Sequence, residues 1–267
     1  MPAVRPAAVA GVFYPASPVA LAAEVRAYLE PTAALAEAAM RPKALIVPHA
    51  GYMYSGATAA AAYRRLAAGC ESIERVVLLG PAHRVALRGL AVPSVDSFAT
   101  PLGEVEVDRA LVARALTLPQ VTESDRAHES EHSLEVQLPF LQILLRSFRL
   151  VPIAVGDATA AQVAEVIELL RGGPETLIVV SSDLSHYHSY DKARALDRSS
   201  AQTVLTLSPT LGLSQACGAL PINGLVTVAR QRGLRPELLD LRNSGDTAGD
   251  KFRVVGYGSF LFSEVAP

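Results

Sequence analysis

The stretch Lys43-Ala-Leu-Ile-Val-Pro-His-Ala-Gly-Tyr-Met-Tyr54 predicts a buried strand that ends in a turn carrying a histidine, His49. Two other stretches have a similar construction, Arg75-Val-Val-Leu-Leu-Gly-Pro-Ala-His83 and Thr176-Leu-Ile-Val-Val-Ser-Ser-Asp-Leu-Ser-His186. Continuous Val, Ile and Leu runs are typical of strands that helices bury on both faces. Ligands of such sheets bind just beyond the carboxyl ends of the strands. The sequence therefore predicts that the three histidines converge on one edge of a sheet.

The composition indicates a substantial core and argues against nucleic acid as the main partner. Of the 267 residues, 50% are hydrophobic and 19% are charged, and the formal net charge of −2 provides no broad positive field. The sequence contains no run of 18 apolar residues, and its first residues lack the apolar segment of a signal peptide. We therefore expect a cytoplasmic protein with neither a nucleic-acid nor a membrane partner.

Strand and helix patterns alternate along the whole chain, which predicts an α/β fold with a single domain spanning residues 1–267. The expected architecture is a central mixed, largely parallel sheet flanked by helices. Good helix starts occur at Ser17-Pro18 and at Thr159, where a capping-box pattern begins. The pattern also predicts one helix over 134–147 and one helix over 208–217. It predicts a short helix or loop over 30–42, a turn over 97–103 and irregular chain over 117–130.

The histidine cluster and a nearby aspartate suggest metal binding and proton transfer. Imidazole nitrogens at one sheet edge suit a divalent transition metal. Asp183 lies three residues before His186 in the same turn, where a carboxylate can orient a histidine as a general base. The competing interpretation is that each histidine makes ordinary hydrogen bonds and that Asp183 caps a helix.

The stretch His128-Glu-Ser-Glu-His132 matches the zinc-protease motif H-E-x-x-H. A buried metal-binding helix should carry an apolar face across the motif, but here the apolar pattern begins only at Leu134. We therefore interpret the match as coincidental and expect only His132 to reach the sheet edge.

The two cysteines, Cys70 and Cys217, are too few for a disulfide framework, so each is considered as a thiol. Cys70 follows a predicted helix end and is expected to be structural or incidental. Cys217 lies in a predicted turn between two helices, and the pattern leaves open a thiolate ligand, a nucleophile or a buried inert thiol.

Taken together, the motifs resemble the Memo family, also called component B of the AmmeMemoRadiSam system. They span nearly the whole chain in the family's order: Val47-Pro-His-Ala-Gly-Tyr52, Leu79-Gly-Pro-Ala-His83, Glu131-His-Ser-Leu-Glu135, Ser181-Ser-Asp-Leu-Ser-His186, Cys217-Gly218 and Val255-Gly-Tyr-Gly-Ser259. The resemblance implies a fold like that of the class III extradiol-type non-haem-iron dioxygenases. Those enzymes hold Fe(II) with two histidines and a carboxylate, and another histidine acts as acid and base.

By position, the resemblance implies that His49 and His83 are the histidine ligands and that Cys217 replaces the carboxylate. The remaining catalytic candidates that it implies are His186 as the acid/base group, with Asp183 and His132 lining the same cleft. A soft thiolate in place of a hard carboxylate shifts preference toward copper(I), zinc or a differently tuned iron. The expected cofactor is therefore iron or copper, with zinc also compatible with the ligands.

Two functions follow from the resemblance. The first is a metal-dependent redox enzyme, since animal members are associated with redox activity, iron and copper binding, and recognition of phosphotyrosine peptides. The second is a peptide- or partner-binding module with a vestigial dioxygenase-type site, in which Tyr52 and Tyr54 lie near the mouth of the cleft. Microbial members are commonly encoded beside an AMMECR1-type protein and a radical-SAM enzyme. These two proteins are therefore expected partners, together with an unidentified small molecule or peptide.

Overall fold

The computed structural model of the protein describes residues 3–30, 41–67 and 70–264. Most of the segment 30–42, expected as a short helix or loop, lies outside these ranges. Arg41 and Pro42 are described and already belong to a strand. None of the helices in the described ranges combines the length and apolar content that crossing a membrane requires.

Twelve strands and nine α-helices are found in the described ranges. The strands are β1 (Val4–Arg5), β2 (Arg41–Val47), β3 (Arg75–Pro81), β4 (Leu90–Val92), β5 (Ser97–Thr100), β6 (Gly103–Glu106), β7 (Val121–Glu123), β8 (Arg149–Val155), β9 (Thr176–Ser181), β10 (His186–His188), β11 (Arg235–Asn243) and β12 (Val254–Glu264). The helices are α1 (Pro18–Leu29), α2 (Tyr52–Tyr63), α3 (Arg109–Ala115), α4 (Arg126–Glu129), α5 (His132–Glu135), α6 (Leu138–Leu144), α7 (Ala160–Leu170), α8 (Tyr190–Leu205) and α9 (Ala219–Arg232).

Nine of the strands form one mixed sheet in the order β10-β12-β2-β9-β3-β8-β4-β7, with β11 also paired to β12. The four central strands, β2, β9, β3 and β8, are parallel to one another. Antiparallel pairs lie outside them, where β12 joins β2 and β4 joins β8. The predicted α/β fold with a central mixed sheet and flanking helices is confirmed. Parallel pairing occurs at the centre of the sheet and again between β4 and β7 at one edge.

The central strands share a register that brings their carboxyl ends to one edge. Val47 of β2 pairs with Ser181 of β9, and Pro81 of β3 pairs with Val155 of β8. These strands are central because their Val, Ile and Leu side chains are buried on both faces. The chain leaves β2, β3 and β9 at the same edge, so the turns that follow them are neighbours.

Two helix starts predicted from capping residues, at Ser17 and at Thr159, are confirmed. The Ser17 hydroxyl accepts from the backbone N–H of Ala20 at the start of α1. Thr159 and Gln162 form a reciprocal capping box at the start of α7. Helix α7 packs closely on α9 because Gly224 has no side chain: a Cβ atom there would lie 2.4 Å from Cγ1 of Val163.

Three expectations about local structure are wrong. The segment 97–103 enters a β5–β6 hairpin rather than a simple turn, and 117–130 contains β7 and α4. The single helix expected over 134–147 is divided into α5 and α6. Pro139 has no N–H to donate and lies in the first turn of α6.

The helix expected over 208–217 is also wrong, because this segment is not helical. Asn223 of α9 holds it in an open conformation: its side-chain oxygen accepts from Leu211 N at 3.0 Å, and its nitrogen donates to Leu211 O at 2.9 Å. These bonds satisfy the backbone of Leu211 without a helical partner. The resulting loop carries Cys217 toward the carboxyl edge of the sheet.

The amino-terminal segment is fixed to α5 by a buried carboxylate. Glu135 forms an ion pair with Arg5 and accepts from the backbone N–H groups of Ala8 and Val9 and from the Tyr14 hydroxyl. A buried carboxylate is costly without such partners. The network therefore holds the chain before α1 against α5, the helix that begins at His132.

Candidate metal centre

A cavity of about 570 Å³ lies beyond the carboxyl ends of the central strands. The three strand-end histidines, His49, His83 and His186, all line it. The convergence predicted from the strand-end pattern is thus present. The other lining residues are Arg84, His132, Asp183, Tyr187, His188, Leu213, Ser214 and Cys217.

Three of these residues are spaced as ligands of one metal ion. One potential ligand atom from each of His49, His83 and Cys217 lies within 4.8 Å of the other two. Nε2 of His49 lies 3.3 Å from Sγ of Cys217. Nitrogen and sulfur ligands of one tetrahedral zinc ion lie roughly 3.5 Å apart, given Zn–N and Zn–S bonds of about 2.05 and 2.3 Å. The pair therefore needs little movement to share an ion.

A buried chain of hydrogen bonds fixes the tautomer of His49. The Ser181 hydroxyl donates its only proton to the carbonyl of Ser133, at 2.6 Å. It must therefore accept from its other partners, Nε2 of Gln137 at 2.8 Å and Nδ1 of His49 at 2.9 Å. The proton of neutral His49 consequently lies on Nδ1, and Nε2 presents its lone pair to Cys217.

Two further hydrogen bonds fix the orientation of the Gln137 side-chain amide within this network. Its nitrogen also donates to the carbonyl of Pro48 at 2.9 Å, and its oxygen accepts from the Tyr63 hydroxyl at 2.9 Å.

Burial, followed by the neighbouring His132 and His83 rings, holds the pKa of His49 well below its usual value. His49 is therefore neutral, the form that binds metals.

His83 is oriented by a carboxylate. Nδ1 of His83 lies 2.9 Å from Oε1 of Glu131, and the backbone N–H of His83 donates to Oε2. Burial alone would raise the pKa of Glu131, but hydrogen bonds from His83 and from Ser133 outweigh it and hold the pKa at about 2. The ionised carboxylate accepts the Nδ1 proton, so Nε2 of His83 carries the lone pair. This is the carboxylate–histidine pairing that supports metal ligands in many proteins.

Cys217 is held against the end of β9. Its backbone N–H donates to the carbonyl of Asp183 at 3.3 Å, and the next N–H, of Gly218, donates to the Ser182 hydroxyl at 2.9 Å. Burial, with a contribution from the Asp183 charge, raises the pKa of the Cys217 thiol to about 12. Without a metal the group is a neutral thiol, whose proton can be donated to Nε2 of His49.

Asp183 and His186 line the cavity but do not interact as the sequence suggested. Nδ1 of His186 lies 2.8 Å from the carbonyl of Leu184, so this carbonyl fixes the ring and leaves the Nε2 lone pair free. Asp183 instead accepts from the backbone N–H of His49 at 2.8 Å. Burial raises the pKa of the Asp183 carboxyl, with the His49 hydrogen bond opposing it. Asp183 thus positions the His49 turn, and a backbone carbonyl orients His186.

The two histidines of the H-E-x-x-H match are separated by the fold. His128 belongs to α4, is 1% exposed, and uses Nε2 to contact the carbonyl of Ala91 at 3.1 Å. His132 belongs to α5 and stacks on His83 with 4.8 Å between the ring centroids. His132 reaches the sheet edge, as predicted. The motif does not form the single metal-binding helix of the zinc proteases.

His132 belongs to a second group with ligand-like spacing, which contains His83 and Glu131. Its Nδ1 atom is buried and lies 3.3 Å from Oε1 of Glu131 without forming a hydrogen bond. Burial lowers the pKa of His132 to about 4, so the ring is neutral. Since Glu131 already accepts from His83, we interpret Glu131 as the support for His83.

The two tyrosines predicted near the cleft mouth differ in their positions. Tyr52 is 2% exposed, and its hydroxyl donates to the carbonyl of Val136 at 2.8 Å. Tyr54 is partly buried. Neither is among the described residues that line the histidine cavity. The aromatic residue that does line it is Tyr187, which is 63% exposed and has a positive φ of 59°.

Comparison with known proteins agrees with the resemblance of the sequence motifs to the Memo family. The family model described as "Memo-like protein" matches residues 5–261. The chain belongs to the Memo family. A MEMO1 family protein of Aquifex aeolicus is 36% identical over 274 aligned positions, which cover 97% of this chain and 99% of the relative. A MEMO1 family protein of Archaeoglobus fulgidus is 39% identical, with 95% and 97% coverage.

A solved structure shares the fold of this Memo-family chain. The uncharacterized protein JW3007 of Escherichia coli K12 superposes with a TM-score of 0.55 at 13% identity, covering 82% of this chain and 99% of that one. At this identity the match supports the fold alone.

In this Memo-family chain, sequence reasoning gave no role to Glu131, Ser181, Gln137 or Arg84. Glu131 and Ser181 both lie inside the family motifs of the sequence. Their hydrogen-bond partners, His83 and His49, are 48 and 132 residues away, so a local sequence pattern cannot reveal these contacts. Gln137 carried a weak signal, since a polar residue stands within an apolar helical pattern. Arg84 follows His83 directly and lines the same cavity.

Proposed function

We propose that this protein is a metal-dependent redox enzyme that binds iron or copper through His49, His83 and Cys217. The observation that carries the proposal is the 3.3 Å approach of His49 Nε2 to Cys217 Sγ inside a cavity that His83 also lines. Hydrogen bonds to Ser181 and Glu131 engage the Nδ1 atoms of the two histidines, so their Nε2 atoms are the ones available to a metal. Two imidazoles and a thiol form a borderline-to-soft donor set, which suits copper, zinc and iron better than magnesium or calcium.

The chain's own residues prepare this site. Ser181 and Gln137 hold the His49 ring, and Glu131 holds the His83 ring, so neither ligand needs to reorient. Cys217 gives up its thiol proton when it becomes a ligand. A bound iron or copper ion would supply Lewis acidity together with one-electron and O₂ chemistry.

His186 is the group that we assign to proton transfer. Its Nδ1–H is committed to the Leu184 carbonyl, and Nε2 is free to accept a proton from a substrate in the cavity. Arg84 lines the same cavity and offers a guanidinium to an anionic substrate group. Asp183 keeps the His49 turn in place through the His49 backbone N–H.

The test is metal analysis of protein produced and purified without oxygen. We expect about one equivalent of iron or copper in the unmodified protein and a loss of at least about tenfold in affinity for His49→Ala, His83→Ala and Cys217→Ala. Cys70→Ala is the matched thiol control and should retain the metal, since Cys70 contacts the Ala67 carbonyl away from the cavity. Retention of metal by Cys217→Ala and His49→Ala would refute the assigned ligands.

The binding-module function predicted as an alternative has weaker support. Tyr52, one of its two proposed peptide contacts, is buried and bonded to Val136. It would gain support if metal-free protein bound a partner as tightly as the metal-loaded form. The AMMECR1-type and radical-SAM partners and the cytoplasmic location stay predictions.

A further inference from the structure

A second cavity of about 380 Å³ adjoins the histidine cavity. Cys217 and Leu213 line both. The second cavity lies beyond β3 and β8, between the loop that follows β3 and the start of α9. Its position places it beside the thiol that we assign as a metal ligand.

The two cavities differ in the number of ionisable side chains that line them. The histidine cavity is lined by imidazoles, a guanidinium and a carboxylate. The second cavity is lined mainly by apolar side chains, of which Val85, Leu87, Val155 and Leu220 are the largest besides Leu213. Asp157 is the charged residue among its described lining, and it is exposed to solvent. An uncharged apolar group would be favoured here, and an anionic group would meet the Asp157 carboxylate.

We infer that the two cavities are subsites for one substrate, which places a polar, metal-binding head beside His49 and Cys217 and an uncharged apolar tail in the second cavity. This inference rests on the proposed metal site. It narrows the substrate class to molecules with a polar, metal-binding head and an uncharged aliphatic or aryl tail. The second subsite is built largely by the loop after β3, in which Val85 and Leu87 pack against the small cluster of Ala91, Ala127 and Ala154.

The tail should contribute to affinity in proportion to its buried length. Complete burial of one methylene group strengthens binding by up to about fourfold. Four added methylenes that are mostly buried should therefore strengthen binding by about 30-fold or more. A terminal carboxylate on the same tail should remove most of this gain because it must be desolvated near Asp157.

The experiment uses full-length protein loaded with zinc, which has no redox chemistry, and measures binding by calorimetry. Acetohydroxamate probes the head alone, hexanohydroxamate adds four methylenes, and adipic acid monohydroxamate ends a similar tail in a carboxylate. We expect hexanohydroxamate to bind about 30-fold more tightly than acetohydroxamate, and the carboxylate probe to lose most of that gain. Equal affinities for the two alkyl probes would overturn the inference and leave the metal site intact. Failure of acetohydroxamate to bind zinc-loaded protein would overturn the open metal site and the inference together.

Variants at an exposed lining position locate the tail. Ala86 lines the second cavity but not the first and is exposed, so substitution there should not disturb folding. Ala86→Phe should reduce the chain-length gain to less than about threefold with acetohydroxamate binding unchanged, whereas Ala86→Ser should keep the gain. A second variant, Val85→Asp, should abolish the gain by adding charge. If the tail adsorbs non-specifically, Ala86→Phe and Val85→Asp should show the same chain-length gain as the unmodified protein. That result would refute the subsite.

Discussion

Nε2 of His49 lies 3.3 Å from Sγ of Cys217, although 168 residues separate them in the chain. His49 is placed by the end of β2, and Cys217 by a loop that hydrogen-bonds to Asp183 and Ser182 after β9. Since β2 and β9 are adjacent parallel strands, their turns meet at the sheet edge. The proposed metal site therefore depends on backbone contacts that place His49 and Cys217 side by side.

Ser181→Ala should weaken metal binding by about 10- to 100-fold, because His49 loses the acceptor that fixes its Nδ1 proton. Competition with a chromophoric chelator measures the affinity, and ¹⁵N chemical shifts of the ring report the tautomer. The matched control is Ser259→Ala, which removes a buried hydroxyl that has no hydrogen-bond partner among the described residues. Unchanged affinity and tautomer in Ser181→Ala would contradict the role of Ser181.

Glu131→Gln should also weaken metal binding by about 10- to 100-fold, because the ionised acceptor of the His83 Nδ1 proton is lost. The same change removes a carboxylate that accepts from Ser133 at the start of α5, so thermal unfolding should be recorded in parallel. Glu129→Gln is the control, since Glu129 is exposed. Equal effects of the two variants on affinity would rule out a specific pairing.

His186→Ala should retain at least half of the metal because His186 is assigned to proton transfer. Any O₂-dependent turnover should fall by about 10²-fold or more. Metal content measured anaerobically separates the two roles. A loss of metal as large as that in His49→Ala would instead make His186 a ligand.

Cys217→Glu should weaken Cu(I) binding relative to Fe(II), because it exchanges a soft thiolate for a hard carboxylate beside two imidazoles. Competitive anaerobic titration with both metals gives the ratio, after circular dichroism has established folding. Cys70→Ala serves as the control and should leave the ratio unchanged. If a folded Cys217→Glu protein kept the original preference, the thiol would not be a ligand.

The metal-free protein should lose stability as the pH falls from about 6.5 to about 4, and His128 should account for part of the loss. Burial lowers the pKa of His128 from 6.5 to about 4, so between these values the unfolded chain binds a proton that the folded chain does not. Stability from this residue is complete above pH 6.5 and decreases by roughly 3 kcal/mol by pH 4.

Urea unfolding at several pH values tests this linkage. His128→Phe removes the titrating ring and should flatten the dependence of the unfolding free energy on pH, whatever its effect at neutral pH. His188→Gln, at a partly exposed histidine, is the matched control and should leave the slope near that of the unmodified protein. An equally steep slope in His128→Phe would show that His128 does not carry the effect.

The sequence by itself determined the strands and the edge at which the site forms. Apolar runs ending at Val47, Pro81 and Ser181 require strands buried on both faces, and local turns place His49 and His83 directly after two of them. Adjacent parallel strands have their carboxyl ends at one edge, so this convergence needs no detailed knowledge of packing.

Only the tertiary structure decided how those side chains are held. Glu131 contacts His83, which lies 48 residues away in the chain, and Ser181 contacts His49, which lies 132 residues away. The loop that was expected to be a helix is held by Asn223 and Asp183, and these hydrogen bonds place Cys217 at the site. Such hydrogen bonds depend on distances between segments that are remote in the chain, whereas periodicity and capping report only neighbours within a few residues. The same limit applies to the apolar cavity beside Cys217, because its walls come from the ends of two strands, a loop and a helix that become adjacent only when the chain folds.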